Sequence, residues 1–343
     1  MLRSLHKGLT FYNYSMKFKT LLILCMSAAV AFAENDNPLK RAMETLNSSK
    51  IAYSVKELKK PFPEPDRSKL LNMPAYRKTV DGGYKVTAFE FKGDLKKALD
   101  KAEDLFAKKE YAKARDAYKR VLLLDPNATI VMAYIAQTFG IEQNWNMAES
   151  WYKKAIEANY IDYLAHWLLA DVYRNKGEQK KALEEISIAK VLNRNNPRLE
   201  SLRQKIYAAN GLDSSHWAFN PQARVLEAPD GSVVVEADTL WLYYAFIEAA
   251  WKFEPEYKKR AEANKDMGEA MIKECLAGLL PKIDERKANS KTLARLDKAL
   301  SAGKINSFIM YEIILPDRPS LAYYLDRKQI ESLKDYVIWS NQK

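Results

Sequence analysis

Apolar and polar residues alternate with the helical period along most of this chain. The stretch "KKEYAKARDAYKRVLLLDP" (108–126) is typical: small and large apolar residues fall three or four apart under a charged coat, and the pattern stops at Asp-Pro. Two stretches switch to period two. "YRKTVDGGYKVTAFEF" (76–91) alternates around Asp81-Gly82-Gly83, and "ARVLEAPDGSVVVEA" (223–237) around Asp230-Gly231, so each predicts a β-hairpin. Residues 34–74 are polar and broken by Pro61, Pro63, Pro65 and Pro74. They predict an extended, weakly ordered arm, with helical potential only over 38–58. Beyond 211 the pattern predicts helices over 239–253, 265–280, 291–302, 305–315 and 319–339.

The 108–126 pattern is repeated. Ala114 and Tyr118, Ala148 and Tyr152, and Ala182 and Ile186 form pairs of one spacing, and successive pairs lie 34 residues apart. A preceding helix keeps the same register: Ala102, Ala136 and Ala170 share one position, and Leu105, Phe139 and Tyr173 the contact one turn on. Val121, Ala155 and Ala189 follow near the end of each second helix. A fixed period of this length signals stacked helical hairpins, none of which can bury its apolar face alone.

These positions resemble the tetratricopeptide (TPR) repeat, with three repeats over 95–128, 129–162 and 163–196. In that family small residues let paired helices approach and large ones fill the space beside them. The helix-ending proline matches only at Pro126, with Tyr160 and Arg194 at the equivalent places. The first repeat carries Ala98 and Lys101 where bulky apolar groups are usual, so the preceding hairpin is expected to cover its end. His166 stands at the usual tryptophan position. Residues 196–211 fit a closing helix, with Pro197 in its first turn and Gly211 as its stop.

The resemblance implies that a protein or peptide partner binds the concave face, on first-helix residues pointing away from the second helix. In this register these are Leu99, Glu103 and Phe106, then Ala133, Gln137 and Ile141, then Leu164, Trp167, Asp171 and Arg174. The subset of the family that holds a C-terminal carboxylate uses Lys, Asn and Arg here, which this chain lacks. A mixed apolar and acidic groove points instead to an amphipathic or basic ligand segment.

Composition adds a compartment. Lys17 and Lys19 precede the apolar run 21–30, and Ala31-Phe32-Ala33 leads into Glu34, the order of a secretory signal peptide cleaved after Ala33. The run is well short of the roughly 20 residues of a spanning helix, and Leu24 stands before Cys25 where lipid modification needs a small residue. Met1 and Met16 both remain possible starts. The whole chain of 343 residues carries a formal charge of +11, and cleavage removes Arg3, Lys7, Lys17 and Lys19 but no acidic residue. The charge is spread over helical segments, which argues for solvated faces rather than a nucleic-acid track. Cys275 is the only cysteine after Ala33, so no internal disulfide is expected despite export.

Catalysis would need a constellation that is hard to find. Only His166 and His216 follow the leader, and "LDSSHWAF" (212–219) has no Gly-x-Ser-x-Gly elbow, so Asp213 and Ser214 are read as a turn or cap. His166 is read as a core histidine, Glu184-Glu185 as solvated charge, and Cys275 as a buried thiol. No zinc or calcium spacing and no phosphate-cradling loop occurs, so neither metal nor cofactor is expected. "TLWLYYAFIEAAWKF" (239–253) holds Trp241, Tyr243, Tyr244, Phe246 and Trp251. Core packing explains this bulk, and an aromatic groove for a glycan or peptide is the rival explanation.

The expected protein is mostly α: a TPR-type α-solenoid over 95–211 with its capping helix, small hairpins flanking it, an arm and hairpin over 34–94, and a helical region over 212–343. Its expected role is that of an exported, non-catalytic adaptor in a cell-envelope assembly, periplasmic or secreted. The alternative places an enzymatic or glycan-binding activity in 212–343, with the repeats as a docking module.

Overall fold

The computed structural model describes residues 37–81, 83–263 and 268–343. The leader and Gly82 of the first turn lie outside the described residues. In chain order, helix α1 (Pro38–Ser48) precedes strand β1 (Tyr53–Glu57), and β2 (Ala75–Val80) pairs with β3 (Gly83–Ala88). Six helices follow as three hairpins: α2 (Gly93–Ala107) with α3 (Tyr111–Leu124), α4 (Ile130–Ile141) with α5 (Trp145–Ala158), and α6 (Tyr163–Asn175) with α7 (Gln179–Leu192). Then come α8 (Glu200–Ala209), β4 (Ala223–Glu227), β5 (Val233–Ala237), α9 (Leu242–Phe253), α10 (Pro255–Ala263) and α11 (Glu269–Ala277). The last long helices are α12 (Lys291–Ser301) and α13 (Arg327–Ser340).

The three hairpins stack as a TPR-type solenoid. Ala102, Ala136, Ala170, Ala114, Ala148 and Ala182 have no exposed surface, and Tyr118, Tyr152 and Ile186 are buried beside them. Each α-carbon carrying only a methyl lets the paired helices meet closely, and the large neighbour fills the remaining space. The turn within each hairpin has the same backbone: Lys109, Gln143 and Gly177, at equivalent positions, all have positive φ (61°, 58° and 78°). Only the third repeat supplies the glycine this conformation favours.

Both ends of the solenoid are closed. Phe89 and Phe91, directly after the first hairpin, pack with Ala98 on the core of the first repeat, which agrees with the missing bulk on that helix. At the other end α8 behaves as the first helix of a fourth repeat. Gln204 takes the place of the small residue, and it is exposed because no second helix follows. Gly211 ends this segment at φ +71°, and Leu212 N–H reaches back to the Tyr207 carbonyl at 2.9 Å.

The chain divides into two compact units, and neither ends where the sequence suggested. One comprises Pro65–Phe219 with Ala299–Lys343; the other comprises Asn220–Lys298 with the described residues up to Glu64. The region 212–343 is therefore shared between them. In the repeat unit α13 packs along α7, consistent with its buried Ile330, Leu333, Tyr336 and Val337. Pattern alone extends this last helix over 319–339, but Pro319–Tyr324 is a 3-10 turn and α13 starts afresh at a capping box formed by Asp326 and Gln329. The segment expected as a helix over 305–315 passes into a π-helix at Ile309–Ile314, ahead of Pro316.

The arm is ordered, contrary to expectation. Residues 65–75 form a strap held through its main chain by asparagines one repeat apart at the ends of α5 and α7. Asn193 accepts from Asn72 N–H (3.1 Å) and donates to the Asn72 carbonyl (3.0 Å), while Asn159 donates to the Ala75 carbonyl (2.9 Å). In the other unit α1 buries Leu39, Ala42 and Leu46 against α9 and α11. Residues 53–57, within the stretch of helical potential, form β1 and pair in parallel with β5, whose other edge pairs antiparallel with β4. Tyr53 and Val55 are β-formers whose partners lie about 180 residues away, which a local pattern cannot reveal.

Candidate interaction surface

The ten first-helix positions do not all reach solvent. Ala133 has no exposed surface. It belongs to the core of α4 and cannot touch a partner, because its short side chain ends below its neighbours. The other nine keep some surface. On α2, Leu99 and Phe106 are half-buried against the first-repeat core, Phe106 standing edge-on to Tyr111 at 5.7 Å. On α4, Gln137 is half-buried and Ile141 is 46% exposed. On α6, Leu164 leans on the first-repeat core, and Trp167 is half-buried.

The carboxylates of this face have partners within the repeats, one of them a cation. Glu103 accepts from the Tyr118 hydroxyl at 2.6 Å. Burial first, and then this carboxylate, hold the Tyr118 phenol well above its ordinary value. Tyr134 beside it (ring centroids 5.8 Å apart) is pushed up to about 12 by burial, with Glu103 adding to the shift. Asp171 is paired with Arg174 at 2.8 Å. Phe106, Ile141 and Trp167 supply its accessible apolar surface, beside the exposed Glu103.

Below this face lies a polar node that sequence reasoning only partly found. His166 is buried, as expected of a core histidine; its Nδ1 lies 2.6 Å from Glu185 Oε2 and its Nε2 3.0 Å from the Tyr160 carbonyl. A carbonyl only accepts, so Nε2 carries the hydrogen here. Glu185 is thus a structural partner and not solvated charge, whereas Glu184 is exposed. Asp162 caps α6, accepting from Leu164 and Ala165 N–H groups at 3.0 and 3.4 Å, while its Oδ2 is buried without a hydrogen-bond partner. Burial pushes the Asp162 carboxyl up to about 6, against the pull of those amides and of His166.

A second buried network joins α7 to the carboxy-terminal segment, and no periodic signal marks it. Lys190 donates to Glu200 (2.8 Å) and to the Arg194 carbonyl (2.6 Å), and burial pulls its ammonium down to about 8. Arg194 pairs with the buried Glu312 at 2.7 Å and lies over the Tyr311 ring. Its one sequence sign is a lysine at a second-helix position where a charge has to reach inward.

The remaining candidates resolve as structural parts. Asp213 accepts from Ser215 N–H and hydroxyl, both at 2.8 Å, the Asx turn expected after Gly211. Cys275 is buried, and burial raises its thiol well above the usual range. Trp241, Tyr244, Phe246 and Trp251 are buried and Tyr243 is half-buried, so most of the aromatic stretch is core. Among the described residues no group of three or more His, Cys, Asp or Glu side chains is placed to hold a metal ion, and no helix is long and apolar enough to cross a membrane.

No family model matches the chain, and no curated protein matches it. Solved structures similar to part of it are repeat proteins. The first TPR of Spaghetti (RPAP3) bound to an HSP90 peptide is 19% identical, covering 34% of this chain and 92% of that one, with a TM-score of 0.32. The Yersinia enterocolitica type III secretion chaperone SycD, in complex with a peptide of the translocator YopD, is 17% identical over 36% of this chain and 99% of that one, at 0.32. The Sgt2 TPR domain from Aspergillus fumigatus is 20% identical over 38% and 89%, at 0.31. The solenoid itself is seen in the register and burial of this chain's own helices.

Proposed function

We propose that this chain is a non-catalytic scaffold that binds a protein segment on the first-helix face of its repeats and works after export, in the cell envelope. The observation that carries the reading is the contrast in surface. The strap and α13 occupy the edge and the last second helix, while Phe106, Ile141 and Trp167 on successive first helices keep accessible apolar surface. With Glu103 bonded to Tyr118 and Asp171 paired to Arg174, the segment it takes is held chiefly by apolar side chains, with Glu103 and Gln137 orienting its polar groups. The repeat proteins above whose structures include bound peptides are consistent with this use of the fold. Export rests on the order of charges, apolar run and small residues in 17–34.

A photoreactive residue placed at 141 or 167 of the full chain, in its native cell, tests the binding face. One discrete protein adduct from each position is expected, and a position on α12 serves as control. Adducts equal at all three sites, or none at 141 and 167, would remove the proposed face. Amino-terminal sequencing of the protein recovered from the envelope fraction should begin at Glu34; an intact leader on a cytosolic protein would end the export proposal.

A further inference from the structure

The outer faces of the three second helices are equivalent in register but not in surroundings. On α7, Leu183, Ser187, Ile188, Val191 and Leu192 are all buried, and α13 packs along that helix. On α5 the same positions read Glu149, Lys153, Lys154, Glu157 and Ala158, a face suited to water. On α3 they read Arg115, Lys119, Arg120, Leu123 and Leu124. Its two leucines are 82% and 59% exposed where Val191 and Leu192 have no exposed surface at all. A pair of adjacent, nearly naked leucines at the place where the third repeat receives a helix marks α3 as a docking surface without its occupant among the described residues.

The exposed stripe of α3 names that occupant. Ala112, Asp116, Arg120 and Leu124 are all exposed and follow one another at intervals of four, on one side of the helix. Read backwards, the order small, acidic, basic, large is the complement of itself. Laid antiparallel on a second copy about an axis passing between Asp116 and Arg120 on the exposed side, Asp116 meets the partner's Arg120, and Ala112 leaves room for the partner's Leu124. Leu123 then covers the aliphatic stem of the partner's Lys113. A twofold contact requires such self-complementarity, and Asp116, which also pairs with Lys119 of its own helix at 3.2 Å, is exposed enough to take the partner's Arg120 as well.

We propose that α3 pairs with α3 of a second copy of this chain, making a twofold dimer through the outer face of the first repeat. The first-helix face stays free in this arrangement. One pair of 14-residue helices buries an area at the low end of specific interfaces, so the dimer is weak and depends on concentration.

Sedimentation equilibrium of the full chain tests the pairing. The expected result is a monomer–dimer equilibrium that Leu124→Glu or Arg120→Asp weakens by about tenfold or more, with helical content unchanged by circular dichroism. Combining Arg120→Asp with Asp116→Arg rebuilds the complementary order and should return association to within about threefold of the original. Trp167→Ala, on the first-helix face, should leave it unaltered. A chain that stays monomeric at every soluble concentration, or a dimer indifferent to Leu124→Glu, overturns the proposal, as does a charge swap that fails to restore what the single reversal removed.

Discussion

The repeat unit takes most of its core from residues within one or two repeats of each other, whereas the unit containing 220–298 is assembled from two segments separated by the whole of 65–219. In the first, a handful of alanines and large apolar residues at a 34-residue interval set the contacts within the three hairpins. In the second, β1 joins β5, α1 covers α9 and α11, and Glu274 on α11 gathers Arg41 (2.7 Å), Arg260 (2.5 Å) and the Trp251 indole N–H (2.9 Å). Stacked repeats share their stability among neighbouring interfaces, while a unit closed by distant segments has to form as a whole.

The contrast can be broken most forcefully inside a repeat. Tyr118→Ala removes a buried ring from the first-repeat core together with its hydrogen bond to Glu103, and should cost about 4 kcal/mol. Hydrogen exchange should then rise across α2 to α4 and much less in α9 and β5; equal loss everywhere would deny the local character of the solenoid. Next in size is Asp162→Asn. Burial raises this carboxyl to about 6 in the folded state, above its ordinary 3.8, so its favourable neutral form is complete below about pH 4 and is lost as pH rises through 6. The amide keeps the cap without ionising, so the variant should be more stable at pH 7.5 by up to about 3 kcal/mol, with the gain gone at pH 4 in denaturant titrations.

In the other unit the sharpest point is Gly278. A Cβ there would sit 2.9 Å from the Tyr243 carbonyl carbon and the Tyr244 nitrogen, both backbone atoms of α9 that cannot move aside alone. Gly278→Ala should cost about 2 kcal/mol and accelerate exchange in α9 and α11 while the repeats hold; unchanged stability would show that α11 does not pack so tightly. The smallest effect tests the equivalence of the repeats. Lys109→Gly and Gln143→Gly place glycine where Gly177 already stands at positive φ, and each should add about 1 kcal/mol. A loss at either position would mean that its side chain matters more than its backbone.

The solenoid was legible because its contacts are short-range and periodic. The candidate face was legible in outline for the same reason, since register alone separates positions that face the second helix from those that do not. It failed at Ala133, where the length of the side chain relative to its neighbours decided exposure, and at Asp171, whose charge Arg174 balances. Asp162 and Lys190 gave almost no warning, because a cap or an amphipathic position looks the same whether its surroundings are water or protein. The surroundings of Asp162 come partly from a residue more than 100 positions away, Tyr323.

By itself the sequence determined the helical period, the 34-residue register, both hairpins and the closing helix, because each depends on side chains a few residues apart or on a turn with its own backbone preference. Only the tertiary structure decided that the arm is a strap and an α1–β1 pair, that 212–343 is shared between two units, and that α7 is sheathed by α13 while the outer face of α3 is left uncovered among the described residues. Those outcomes depend on which distant surfaces meet, and desolvation rewards a buried leucine equally whatever part of the chain covers it.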